Sequence, residues 1–460
     1  MRILHYSLGL PPYRSGGLTK YSYDLMKEQV KNEDDVYALF PGEILLFNSK
    51  VRIKPYKEYD KIKVYELINP LPVSLLSGIS TAKKFMKVSE KQVFIDFLIN
   101  NLIEVIHIHT FMGLYRELLE ACKVLKIKIL YTTHDYFGLC TRVNFIDSFG
   151  EQCDNRDLYK CIKCNRKAYN IKTIGVLQSP IYRFLKEKNI IEKMKPSLIR
   201  IKGLADKESK FIEEEINEIK LEEVNEFQEL LNYYEDMYKY IDKFLFNSNI
   251  SKLVYNNYID VKGEVIAITH SDIKDNRINK IYKNNDKLKL TYLGPDKKHK
   301  GFNLLIEVMS ELNKRFNENI ELNLYGDIEN RDFDSNNIFI KGKYKYKELD
   351  YIFKKTDVLI VPSIWNETFG FIVLEALSYG VPVIITEKVG SKDLIDNTGM
   401  KKGIIVGANK KDIVRQIEEI INNKDILKEL NSNILNGDFN ILMENHYKEI
   451  NRAYENTEAN

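Results

Sequence analysis

Two glutamates eight residues apart, Glu367 and Glu375, are the residues in this chain best placed to do chemistry. They lie in the stretch from Val361 to Gly390, VPSIWNETFGFIVLEALSYGVPVIITEKVG. Asn366, Glu367 and Thr368 form a polar loop. From Phe369 the apolar residues Phe369, Ile372, Val373, Ala376 and Leu377 recur at the spacing of one helix face, until Gly380 stops the helix. At 1.5 Å rise per residue the two carboxylates then sit roughly 10 Å apart along the helix axis. The amides of Thr368, Phe369 and Gly370 lie between them. A helix start with an early glycine cradles phosphate, because its first N–H groups lack intrahelical partners and the macrodipole favours an anion. Carboxylates repel phosphate, so the pair suits hydroxyls at either end of a diphosphate: Glu375 on a ribose diol, Glu367 on the sugar transferred. The plainer alternative is a surface helix with two solvated glutamates.

The elements around this pair read as strand, loop, helix and strand. Val358–Val361 is a β-branched run of the kind buried in parallel sheets, and VPVII after Gly380 begins another. A helix opening at the carboxyl edge of such a sheet is where ligands bind. Three more loops have the same character. In the first, strand Arg2–Ser7 leads through Pro11, Pro12, Gly16 and Gly17 into a helix bearing Leu18, Tyr21, Leu25 and Met26. In the second, Lys287–Leu293 leads through Gly294, a basic loop, Lys300 and Gly301 into a helix, and Lys300 is the cation expected on a leaving diphosphate. In the third, Gly342, Lys343 and Tyr344 close strand Ile338–Ile340. Glu104–His109, EVIHIH, is a strand whose two histidines point to opposite faces, so at most one of them reaches a site.

The string PS-x-x-E-x-F-G-x-x-x-x-E-A-x-x-x-G-x-P-V-I closely resembles the E-x7-E signature of retaining, nucleotide-sugar-dependent glycosyltransferases of family 4, and the resemblance runs through nearly the whole chain in order. It implies an α/β GT-B fold: two doubly wound parallel-sheet, Rossmann-like domains facing across a cleft, here with a helical insertion in the first. It further implies that Gly16 and Gly17 face the donor phosphates, that His109 contacts the transferred sugar, and that Gly342 and Lys343 lie at the nucleobase. A subset of the family has an H-D-aromatic stretch like His134, Asp135 and Tyr136, placing His134 and Asp135 at the cleft. The family loop G-R-x-x-x-x-K-G is matched here at Gly294, Lys300 and Gly301, but Pro295 stands where the arginine belongs. Lys297 or Lys298 is the expected substitute.

The expected layout is an acceptor-binding domain over residues 1–258, a linker over 259–286, a donor-binding domain over 287–436, and a terminal helix over 437–460 that crosses back to the first domain. Two features interrupt the first domain. Cys140, Cys153, Cys161 and Cys164, in a Cys-rich loop spanning 140–164, are spaced Cys-x12-Cys-x7-Cys-x2-Cys, a soft donor set for an optional structural zinc. The helical insertion over 165–240 changes charge abruptly: 165–204 holds ten Lys or Arg against two acids, and 206–236 holds twelve acids against three Lys. The expectation is that basic and acidic helices pack antiparallel; a basic amphipathic face on an anionic membrane is the rival.

At 460 residues the chain exceeds what one core organises, so two domains are expected. No apolar run reaches membrane-span length and MRILHYS lacks a signal-peptide core. The chain is therefore expected to be cytoplasmic, with the inner membrane face as an alternative and its five cysteines reduced. The expected activity is transfer of a sugar from a UDP- or GDP-sugar to a glycan or lipid-linked hydroxyl, with no obligatory metal and no nucleic-acid partner. Two other readings carry weight. A glycoside hydrolase uses two carboxylates roughly 5–9.5 Å apart across one bond, without a phosphate-binding helix. A non-catalytic nucleotide-sugar binder is favoured by Pro295.

Overall fold

The computed structural model describes residues 1–45, 47–188, 190, 219–395 and 399–455. It contains two compact units: residues 1–144 with 155–244, and residues 145–154 with 245–460. The first unit holds most of one sheet and the second unit the whole of another, and the fold is GT-B.

The first sheet is ordered β3-β4-β2-β1-β5-β6-β7-β8. Its strands are β1 (Arg2–Tyr6), β2 (Asp35–Pro41), β3 (Arg52–Tyr59), β4 (Ile62–Ile68), β5 (Val105–Ile108), β6 (Lys128–Thr132), β7 (Lys243–Phe246) and β8 (Gly263–Val265). β1 pairs in parallel with both β2 and β5, so the strand order reverses direction beside β1. β3 runs antiparallel, as a hairpin with β4. Helix α1 (Gly17–Lys31) follows β1 and buries Tyr21, Leu25 and Met26, the apolar face read from the sequence. Next come α2 (Lys91–Asn100), α3 (Arg116–Val124), α4 (Leu158–Asn165), α5 (Ile171–Leu177), α6 (Pro180–Glu187) and α7 (Leu221–Tyr238). α7 buries Phe227, Leu230, Leu231, Tyr234, Met237 and Tyr238, and the Tyr238 hydroxyl donates to the carbonyl of Phe137 at 2.5 Å. The expected pairing of basic and acidic helices falls in part on 191–218, outside the described residues.

The second sheet is wholly parallel, in the order β11-β10-β9-β12-β13-β14. It comprises β9 (Leu288–Leu293), β10 (Ile320–Tyr325), β11 (Ile338–Gly342), β12 (Val358–Val361), β13 (Val383–Thr386) and β14 (Gly403–Val406). This is the doubly wound order whose ligand crevice opens beyond the carboxyl ends of the two strands flanking the switch, here β9 and β12. The helices of this unit are α8 (Asn249–Asn256), α9 (Phe302–Phe316), α10 (Leu349–Lys354), α11 (Phe371–Ser378), α12 (Lys410–Asn422), α13 (Asp425–Asn436) and α14 (Met443–Glu455). Leu288, Leu290, Leu305, Met309, Leu322, Val358, Ile360, Ile384 and Ile417 form one core between sheet and helices.

The stretch 259–286, expected as a linker, is anchored within the second unit. Ile266, Ile268, Thr269, His270, Ile273 and Tyr282 are buried, and Arg277 donates to the carbonyls of Ile434 and Gly437 at 2.5 and 2.7 Å. α14 belongs to this unit too: it buries Met443, His446 and Ile450, and the Thr269 hydroxyl donates to Ile441 just before it at 2.7 Å. No helix among the described residues is long and apolar enough to cross a membrane.

Candidate functional site

The second unit gathers its chemistry at the carboxyl ends of β9 and β12. β12 ends at Val361, and the loop that follows turns into α11 at Gly370, whose φ of 99° is open to glycine but strained for other residues. Glu367 is held at its amide and at both carboxylate oxygens. Its amide donates to Lys388 O at 2.9 Å, the Ser363 hydroxyl donates to Oε2 at 2.8 Å, and the Lys300 ammonium lies 2.5 Å from Oε1. Desolvation alone would raise this carboxyl. Lys300, helped by Ser363, outweighs it and holds Glu367 below the usual carboxylate range. Thr368 accepts from the Ser248 hydroxyl through its carbonyl at 2.8 Å, and Phe369 accepts from the Ser391 amide at 2.7 Å. These bonds fix the loop that leads into α11, whose first amides, as in any helix, have no partner within the helix.

Lys300 comes from the loop after β9. Gly301, with φ of 75°, caps it, and a Cβ there would stand 1.8 Å from the carbonyl oxygen of Pro362; only glycine lets this loop press against the end of β12. The ammonium also lies 5.2 Å over the Trp365 ring, so one cation bridges a carboxylate and an aromatic face. Gly294 continues β9 and donates to Tyr325 O at 2.9 Å. Pro295 accepts from the Tyr292 hydroxyl at 2.7 Å. Of the two proposed substitutes for the missing arginine, Lys298 is ion-paired with Glu151 and Lys297 is solvent-exposed. Lys300 is therefore the loop cation that faces Glu367.

Glu375 sits one turn into α11, only 6% exposed. The Tyr346 hydroxyl donates to its Oε1 at 3.0 Å, and His270 Nε2 lies 3.4 Å away. Desolvation and the neighbouring Glu375 charge both push the Tyr346 phenol up, so it stays a donor. Gly342 ends β11, and Lys343 is exposed and paired with Asp327 at 3.0 Å; Tyr344 beside it is raised by burial and by Glu375. Residues 145–154 belong to this unit as well. Besides Glu151, they supply Gln152, whose side-chain oxygen accepts from the Asn366 amide at 3.1 Å.

The first unit gathers histidines. His5 on β1 and His107 on β5 are register partners, and His109 follows β5 directly. Gln29 Oε1 lies 2.7 Å from His5 Nε2, His5 Nδ1 lies 3.0 Å from His109 Nε2, and His109 Nδ1 lies 3.2 Å from His134 Nε2. His5, His107 and His109 are fully buried, whereas His134 is partly exposed beside Tyr21, with ring centroids 4.8 Å apart. Burial pushes His5 down to about 4 and His109 well below the ordinary imidazole value. Desolvation pushes Asp135 up to about 7 against the pull of the Phe137 amide, which donates to it at 2.9 Å. The nitrogens of His5, His107 and His109 lie within 4.8 Å of one another, a spacing that could hold a metal. They are also hydrogen-bond partners, His5 of His109 and His107 Nε2 lying 2.6 Å from the Thr132 hydroxyl. Gly16 caps α1 with φ of 114°, and both Gly16 and Gly17 are exposed.

Cys161 and Cys164 lie three residues apart on α4. The Arg142 amide donates to Cys140 Sγ at 3.4 Å and its guanidinium to the Cys164 carbonyl at 3.0 Å. Cys153 falls in the segment that belongs to the second unit.

Residues 273–436 match the family of glycosyl transferases group 1. The group 1 match thus contains Gly294, Lys300, Glu367 and Glu375. An uncharacterized 41.2 kDa protein in the cps region of Klebsiella pneumoniae is 29% identical over 161 residues, 34% of this chain and 42% of that protein. An uncharacterized glycosyltransferase of Methanocaldococcus jannaschii is 29% identical over 144 residues, 31% of this chain and 40% of that protein. The matches therefore span about two-fifths of each relative's length. Among solved structures, HepE of Anabaena in complex with UDP superposes with a TM-score of 0.57 at 12% identity, covering 98% of this chain and 99% of that one.

Sequence reasoning missed several partners at these sites. Ser363 was within the quoted motif, and its offset of four residues from Glu367 was a usable signal. His270, Tyr346, Gln152, His5 and Gln29 gave none: each reaches its partner from a distant part of the chain.

Proposed function

We propose that the protein transfers a sugar from a nucleoside-diphosphate sugar to a hydroxyl acceptor with retention of anomeric configuration, as a family 4 glycosyltransferase. The carrying observation is the juxtaposition of Lys300 with Glu367 (2.5 Å) at the amino end of α11, beside the topological switch of the second sheet. A departing diphosphate needs cations and N–H groups aimed at its developing charge. Lys300 and the first turn of α11 supply them. Glu367, kept ionised, accepts from the sugar hydroxyls, and Glu375, with Tyr346 and His270, from the ribose. The donor is a UDP- or GDP-sugar, and UDP bound to HepE supports the uridine alternative. His109, His134 and Asp135 serve the sugar and its acceptor, a glycan or lipid-linked hydroxyl, in the cytoplasm or, as the alternative, at the inner face of the membrane. No metal is required for this chemistry. Cys140, Cys153, Cys161 and Cys164 are the donor set for an optional structural zinc, and metal content of the purified protein checks it.

A panel of nucleotide-sugars screened by thermal shift tests the reading, since a stabilising donor names base and sugar together. Anomer-resolved NMR of the product then checks retention. Release of free sugar from oligosaccharides without nucleotide would establish a hydrolase instead. Donor binding with no turnover on any acceptor would establish a binding protein.

A further inference from the structure

At the amino ends of β9 and β12, the edge of the second sheet opposite to the one that bears Lys300 and Glu367, the chain forms a cavity of about 400 Å³. Residues between 278 and 289 lead into β9 along one wall, residues between 354 and 357 lead into β12 along another, and Lys424 stands at the start of α13. All of these belong to the second unit. β9 has six residues, so at about 3.3 Å per residue the two edges lie roughly 20 Å apart, and no small ligand occupies both.

The walls carry seven lysines against two aspartates. Three of the lysines are engaged with neighbours: Lys354 with Asp350 at 2.7 Å, Lys355 with the Tyr351 hydroxyl at 2.6 Å, and Lys287 with Glu318 at 3.8 Å. The other four, Lys280, Lys283, Lys289 and Lys424, form no ion pair with a carboxylate among the described residues. Two of these four are drawn into the protein. Lys424 is only 3% exposed, and its ammonium donates to the carbonyls of Lys283, at 3.0 Å, and Asp286. Lys280 is partly buried and donates to the carbonyls of Phe353 and Lys354 at 2.7 and 3.4 Å. An ammonium has three N–H groups, so each keeps one unspent. Burial, with the repulsion of Lys289 and against the pull of Asp357, holds Lys280 down to about 8 and Lys424 below the usual lysine range; an anion beside them favours the charged form again. Tyr282, on the same wall, is 5% exposed, and its hydroxyl has no hydrogen-bond partner among the described residues. It is a buried donor without an acceptor, the kind of group that calls for an unseen partner.

We propose that this cavity is a second anion site, separate from the donor site, which takes a compact anion bearing two or more phosphates among Lys280, Lys283, Lys289 and Lys424, with the Tyr282 hydroxyl as a neutral donor. Lysine suits phosphate as a point charge, whereas arginine is the residue for planar, bidentate recognition of carboxylates; no arginine lines the cavity among the described residues. A single phosphate would leave most of the four ammonium groups unanswered. The volume falls within the roughly 300–1,000 Å³ of small-molecule sites. A bilayer or a nucleic-acid backbone is met by exposed lysines, and the buried pair here answers to something small enough to enter. The site does not depend on which reaction the opposite edge performs.

Lysine acetylation of the full chain, mapped by mass spectrometry, tests this with tripolyphosphate and a hexose bisphosphate as probes, the first standing for free polyphosphate and the second for a phosphorylated metabolite. Lys283, Lys287 and Lys289 are expected to lose reactivity when one of the probes is present, while Lys410 and Lys411, exposed and outside the cavity, keep theirs. Equal protection of all five, or protection of none by either probe, overturns the proposal. Lys283→Gln with Lys289→Gln is expected to raise the half-saturating probe concentration at Lys287 at least about tenfold, the worth of a charge-assisted hydrogen bond. Lys410→Gln with Lys411→Gln, the same loss of charge elsewhere, is expected to leave it unchanged. Both pairs are exposed, so the fold survives in each. Equal losses in the two double variants would show unspecific attraction and overturn the site. Tyr282→Phe is expected to raise that concentration about threefold, and no change there would overturn the part given to its hydroxyl. Protection of the cavity lysines by RNA or anionic vesicles and by neither small probe would make this face a docking surface and overturn the proposal.

Discussion

At the scale of single residues, the carboxylates of this protein are separated by what surrounds them. Glu367 is paired with a lysine at 2.5 Å, whereas Glu375 is met by the Tyr346 hydroxyl and the His270 ring. Replacing Glu375 with alanine is therefore expected to weaken nucleoside-diphosphate binding by roughly ten- to a hundredfold, the worth of a charged hydrogen bond or two, as read by calorimetry. Glu367→Ala is expected to lower turnover more than donor affinity, and equal effects of the two variants on both quantities would dissolve the assigned roles. Asp135 gives a pH signature. Its folded value of about 7 exceeds its unfolded value of 3.8, so its contribution to stability is fully present below about pH 4 and is lost as pH rises through 7. Asp135→Asn is accordingly expected to raise the melting temperature at pH 8 and to leave it nearly unchanged at pH 4. A gain of the same size at both pH values would show that the carboxyl titrates normally.

At the scale of elements, the loop between β9 and α9 depends on one residue without a side chain. Gly301→Ala forces a positive φ, about 1–2 kcal/mol for an L-residue, and drives a Cβ into the Pro362 carbonyl. The expected result is a loss of more than about 2 kcal/mol in chemical denaturation together with weakened donor binding; a stability change near zero would mean the loop shifts freely. This glycine was legible in the sequence as a stop between a basic loop and an amphipathic helix, and so were the strands of the second sheet, because Val358–Val361 and Val383–Thr386 are buried on both faces and read as unbroken apolar runs. The start of α11 was read two residues early, since the apolar period begins at Phe369 whereas the chain turns at Gly370. β3 was not legible at all: RIKPYKEY is polar, half exposed and nowhere fully buried, and it is a strand only because β4 lies beside it. The histidine chain was invisible for a different reason, its links spanning 24, 104 and 25 positions, where no local period operates.

At the scale of the whole molecule, the boundary between units does not follow the sequence. Residues 145–154 leave the first half of the chain and fold with the second unit, where Glu151 meets Lys298 and Gln152 holds the Asn366 amide. A fragment covering 245–460 should therefore bind nucleoside diphosphates more weakly than the full chain, and adding a peptide of residues 145–154 should recover part of the difference by thermal shift; equal binding by fragment and full chain would show that the segment is ornamental. The same crossing bears on synthesis. These ten residues leave the ribosome long before the strands that receive them exist, so the nascent chain must carry an unfinished loop, ending near Cys153, through the making of α4 to α7. Only when β12 has been made can that loop settle, and the reading of the donor end of this protein is thus completed by a piece of chain made well ahead of its place.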